Sequence, residues 1–202
     1  MISIDTLLSI KNENALEVAK SINAEDLPQL TQLLSEKDDK IRYAVLLLLQ
    51  ARSSYSDDVY PYLELFRDKL KSSNSYQRSI GMMLIAGNAK WDNQNRLDSM
   101  MGEYFALFHD EKPITIRQSI QALREIVPYK DRIIHKIAAE LMSISITELR
   151  QTMQKSILLD IVDILLLIRK QQPTDEVESY LFSILTGGVL DAKEKKRIQT
   201  LM

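Results

Sequence analysis

Four segments of the chain set an arginine in the same surroundings, and the intervals between them constrain the fold more than any other feature. Arg42 lies in KIRYAVLLLL, Arg78 in YQRSIGMMLI, Arg117 in TIRQSIQALR and Arg150 in ELRQTMQKSI. Successive arginines are 36, 39 and 33 residues apart. Self-similarity at such a period marks a repeat array, in which each unit needs a neighbour to bury its second apolar face. Three copies put an aliphatic residue before the arginine (Ile41, Ile116, Leu149), where the second has Gln77.

The stretch ahead of each arginine recurs as well. LPQLTQLLSEKD and YPYLELFRDKLK both place a proline before apolar residues at helical spacing and end in charge. MGEYFALFHDEK keeps the pattern with Gly102 for proline, and KDRIIHKIAAELM keeps only the amphipathic helix. The predicted unit is therefore helix, polar turn, helix. The turns EKDD, SSNS, HDEKP and SIS hold capping residues or a helix-first proline. Hairpin dipeptides and period-two alternation are missing, and only five glycines and five prolines interrupt 202 residues, so strands are not expected. The reading is a single domain: capping helices over 1–24, four repeats over 25–170, and a capping pair over 171–202 divided at Gly187 and Gly188.

These pairs resemble HEAT repeats across about residues 25–170. The resemblance rests on Pro28 and Pro61, on the steps Ile41-Arg42, Ile116-Arg117 and Leu149-Arg150, and on the aliphatic residues that follow. It implies an all-α, right-handed α-solenoid of four to five helix pairs whose second helices line a concave face. It also implies that Arg42, Arg78, Arg117 and Arg150 are structural, each tying its repeat to a carbonyl or carboxylate of the next. The chain departs from the pattern in its period, shorter than the ~40–47 residues usual for that class. A further departure is the acidic residue ahead of the arginine, clear only at Asp38 and Asp39.

Helical geometry sorts the second helices into faces. Ile41, Val45 and Leu48, Ile116, Ile120 and Leu123, and Leu149, Met153 and Ser156 fall on the core side, with each arginine flanking it. The opposite side presents Gln118, Gln121 and Glu125, then Gln151, Gln154 and Leu158. Amides both donate and accept, which suits a peptide better than a phosphate backbone. In the first repeats the helix over 40–50 is apolar nearly all round and must be covered. The N-terminal helices could cover it, or a partner, which would admit a dimer. Tyr43, Leu46, Met82 and Met83 would lie near that cover, and Tyr43 and Met82 join the glutamines as binding candidates.

Charge and chemistry narrow the function further. Net charge is −2, with −5 over residues 1–68 and +3 over the remainder, so no strongly basic face is expected. The absence of cysteine excludes disulfides, thiolate metal sites and a cysteine nucleophile. Nucleotide-binding glycine loops, H-E-x-x-H and G-x-S-x-G are all missing. His109 and His135 read as surface residues on different helices. Asp160 and Asp163, inside ILLDIVDILLLI, read as the polar edge of a buried helix or as partners of neighbouring turns, with no third ligand for a metal. No catalytic residue, metal or cofactor is assigned. That apolar run is too short to span a bilayer, and MISIDTLLSIKNENALE lacks the layout of a signal peptide, so a cytoplasmic protein away from membranes is expected.

One segment carries a second resemblance. KWDNQNRLDSMMGEYF is distantly similar to the Trp-Asp…Asp-Ser segment of HEAT-like DNA alkylpurine glycosylases. That resemblance implies Trp91 as an aromatic surface, Asp98 as the carboxylate and Arg117 as a phosphate contact. A lone tryptophan is more often a packing anchor. The expectation is thus a non-catalytic scaffold or adaptor holding a protein or peptide on its concave face, with a DNA-binding or DNA-repair protein as the alternative.

Overall fold

Polar turns open the helices through their caps. Asp38 accepts from the Lys40 amide at 2.8 Å and Asn74 from that of Tyr76 at 2.9 Å. Thr174 and Asp191 do the same for Val177 and Glu194, and Pro113 stands at a first helical position. These groups satisfy amides that have no partner inside their helix. The computed structural model describes residues 2–202. Its regular structure is helical, with no strand among the described residues. The helices are α1 (Ile4–Leu8), α2 (Ala15–Ser21), α3 (Leu27–Leu33), α4 (Asp39–Ser53), α5 (Leu63–Leu70) and α6 (Ser75–Gly87). They continue as α7 (Arg96–Phe105), α8 (Pro113–Ile126), α9 (Ile134–Met142), α10 (Gln151–Gln171), α11 (Asp175–Thr186) and α12 (Ala192–Leu201). Short 3-10 turns lead directly into α3, α5 and α9. The chain gathers into two compact units, Met1–Glu103 and Tyr104–Met202.

In the first unit α3 packs on α4, α5 on α6, and α4 on α6. The apolar α4 is covered by the chain itself, because α1 and α2 both pack on it. Arg52 fastens that cover. Its Nη1 donates to the carbonyls of Ala19 and Ile22 at 3.0 and 2.9 Å, at the end of α2, while Nε and Nη2 hold Asp58. A cation at a helix C-terminus satisfies the carbonyls left over there. Leu46 is buried, whereas Tyr43 remains 55% exposed. Met82, expected near a binding surface, is instead 0% exposed: it faces inward with Leu84 and Ile85 and belongs to the core.

The second unit is built around α10, on which α8, α9 and α11 pack. Ile157, Ile161, Val162, Ile164, Leu165 and Ile168 of α10 are all buried and form a broad apolar face, while Leu159, Asp163 and Leu167 on the other side are half-buried. The Tyr104 ring is buried edge-on to Phe108, and its hydroxyl donates to the Ser119 carbonyl at 2.8 Å. A buried phenol needs such an acceptor.

Candidate functional site

The recurring arginines fasten carbonyls and carboxylates within the fold. Arg42 Nη1 donates to the carbonyls of Glu36 and Lys37 at 2.6 and 2.9 Å, and its Nη2 pairs with Asp39. Arg78 Nη1 donates to Ser72 and Ser73 at 2.8 and 3.1 Å. Both sit at the fourth residue of their helix and both fasten the turn of their own pair. For Arg42 the side chain is spent on that turn and on its own helix rather than on the next pair. Arg117, one residue deeper in α8, does link to the next pair: Nε and Nη2 reach Asp160 of α10 at 2.6 and 3.2 Å.

Arg150 departs from the series. It is the exposed residue just before α10, outside the helix. The fourth residue of α10 is Gln154, whose Nε2 donates to the Leu149 carbonyl at 3.0 Å and to that of Thr147 at 3.4 Å. Gln154 thus takes the place that Arg42 and Arg78 hold. Counted on it, the last interval becomes 37 residues in place of 33, in line with the other two.

Two members of the glutamine row are engaged within the fold. Gln121 Nε2 donates to Asp160 Oδ1 at 2.8 Å, and Gln154 is committed to backbone. Gln118 is half-buried, while Glu125 and Gln151 are exposed. Asp163 accepts from Arg124 at 2.8 Å and from Arg197 at 3.2 Å, and both histidines are exposed. Trp91 Nε1 donates to the Ser53 carbonyl at 2.8 Å, and the Lys90 ammonium lies 4.6 Å from its ring centre. Its indole is an anchor between segments of the first unit. Asp98 is half-buried in the first turn of α7.

An open groove in the first unit was not marked by sequence reasoning. It encloses about 790 Å³ between the turns of the first two pairs. Ser35, Glu36 and Lys37 line it from one turn, and Lys71, Ser72 and Asn74 from the other. Arg42, Leu65, Asp68, Lys69 and Gln77 complete it. Lys69 is only 9% exposed, and its ammonium donates to Ser35 Oγ at 2.9 Å and Gln77 Oε1 at 2.5 Å. Burial lowers its pKa from the ordinary lysine value, and the Arg42 charge lowers it further.

Gly81 explains why a lysine can be buried there. A Cβ at that position would stand 2.5 Å from the Phe66 carbonyl oxygen and 2.9 Å from Lys69 Cβ. Only glycine lets α6 approach α5 this closely. The signal was present in the sequence: Lys69 follows Phe66 by three residues on an otherwise apolar face, and Gly81 interrupts an apolar helix.

The second unit has a smaller recess of about 410 Å³, floored by Leu166, Leu167, Leu201 and Pro128 beside Arg124 and Lys170. No group of three or more histidines, aspartates or glutamates among the described residues is placed to hold a metal ion. No described helix is long and apolar enough to cross a membrane.

No protein-family model and no curated protein matches the chain. Among solved structures, the crystal structure of an engineered protein from the Northeast Structural Genomics Consortium is similar over 98% of this chain and 94% of that one. The TM-score is 0.57 and the sequence identity 17%, a likeness of fold alone.

Proposed function

We propose that the chain is a non-catalytic, HEAT-like repeat scaffold, a right-handed α-solenoid in architecture, that holds a peptide segment of a partner protein. The observation that carries this reading is the groove. It takes hydrogen-bonding side chains from two successive helix pairs, is open to solvent, and falls in the ~300–1,000 Å³ range of ligand sites. The stacking of second helix on second helix, α4 on α6 and α8 on α10, supports the repeat architecture. The binding surface moves from the concave glutamines to this groove, because Gln121 and Gln154 already serve neighbours within the fold. The DNA reading has little to draw on, since Trp91 and Arg117 are both engaged inside the fold.

Selection of peptides from a random display library on the immobilised protein tests this. Selected peptides should lose at least tenfold in affinity to Asn74→Ala with Lys69→Met, and nothing to Gln151→Glu. Failure to select peptides above a folded control of similar size, or binding indifferent to the groove substitutions, sinks the proposal.

A further inference from the structure

Lys69 is a buried ammonium whose two partners, Ser35 and Gln77, are neutral. No carboxylate among the described residues forms an ion pair with it. A buried cation without a counter-ion is a costly element in a fold. Of the four cations that line the groove, Arg42 pairs with Asp39 and Lys71 with Glu103 at 3.4 Å, which leaves Lys37 and Lys69 beside Glu36 and Asp68, with Lys69 the buried one.

We infer, building on the peptide-binding reading, that the peptide supplies a carboxylate side chain that enters the groove and pairs with the Lys69 ammonium. A carboxylate fits better than a phosphate. Arg42 commits both terminal nitrogens to the Glu36 and Lys37 carbonyls and to Asp39, which leaves no guanidinium fork for a phosphate. Lys69 alone is a point charge suited to a single carboxylate, and the exposed Lys37 and Lys71 stand at the rim. A volume of about 790 Å³ lined from two successive turns argues for a segment of chain over a free small anion. Asn74, whose Oδ1 caps α6, still has its Nδ2 to donate to a peptide backbone at the groove.

Fluorescein-labelled hexaglutamate and hexaglutamine test the inference on the whole chain, with free glutarate as competitor. Hexaglutamate should bind at least tenfold tighter than hexaglutamine. Lys69→Met should erase that difference, and Lys20→Gln, on α2, should keep it. Millimolar glutarate should not displace the peptide. Lys69→Met should also unfold at the same or a higher temperature than the parent, because methionine keeps the stem and removes the uncompensated charge. Equal binding of the two peptides, no binding of hexaglutamate, or a discriminating Lys69→Met protein overturns the inference. If library-selected peptides still bind in that event, the peptide-binding reading stands without it. Full displacement by glutarate would assign the site to a small anion and overturn it. A strongly destabilised Lys69→Met would assign Lys69 to the fold and overturn it too.

Discussion

Arg117 on α8 and Asp160 on α10 form a two-point ion pair in which each guanidinium nitrogen meets its own carboxylate oxygen. Asp160 is 7% exposed, and Gln121 donates to the same carboxylate. Breaking such a pair leaves unpaired polar groups against apolar neighbours. Asp160→Ala should therefore cost about 3 kcal/mol in denaturant unfolding. Asp163→Ala, whose partners Arg124 and Arg197 are exposed, should cost less than about 1 kcal/mol. Equal costs would show that the α8–α10 link is no more than a surface contact.

The register of the fourth pair gives a second test. Gln154→Ala removes an anchor to the turn before α10 and should lower stability by about 1 kcal/mol. Arg150→Ala removes an exposed side chain and should stay within about 0.5 kcal/mol of the parent. The reverse order would restore Arg150 to the series.

Gly81→Ala should be destabilising by about 2 kcal/mol, since the added methyl meets the backbone of α5. Circular dichroism should show helix content retained while the midpoint of thermal unfolding falls. An unchanged midpoint would mean that α5 and α6 stand farther apart.

Alkaline pH should act through Tyr60. Burial, together with its hydrogen bond to Asp92 at 2.7 Å, pushes its pKa up from 10.0 to about 12. A folded pKa above the unfolded one stabilises fully below pH 10. That contribution disappears as pH rises through about 12. Tyr60→Phe should be less stable than the parent at neutral pH, with the gap closing between pH 10 and about 12. A gap that stays constant across that range would remove Tyr60 from the titration.

Much of the helical layout could be read from the sequence, because amphipathic period and capping chemistry act locally. Asp38, Asn74, Thr174 and Asp191 cap where their positions suggest. What could not be read depends on neighbours distant in the chain. Met82 looks like an adaptable surface residue until α6 is seen to turn it inward. Gln121 looks free until α10 brings Asp160 against it. Lys69 shares the apolar face of Phe66 in the sequence, but how deeply it is buried depends on the close passage of α6 at Gly81. The arginine alignment failed in the fourth pair for a local reason: Ile146–Glu148 form a 3-10 turn, so α10 begins after Arg150.

The exchange of Arg150 for Gln154 as the anchor has a consequence for how such a chain drifts. Gln154 is the fourth residue of α10, as Arg42 and Arg78 are of α4 and α6, so it meets the turn ahead from the same helix position. An anchor can then keep its place in the helix and change its chemistry, while it still grips carbonyls of the turn before it. Copies that diverge by such steps keep a common shape long after they have lost a common spelling.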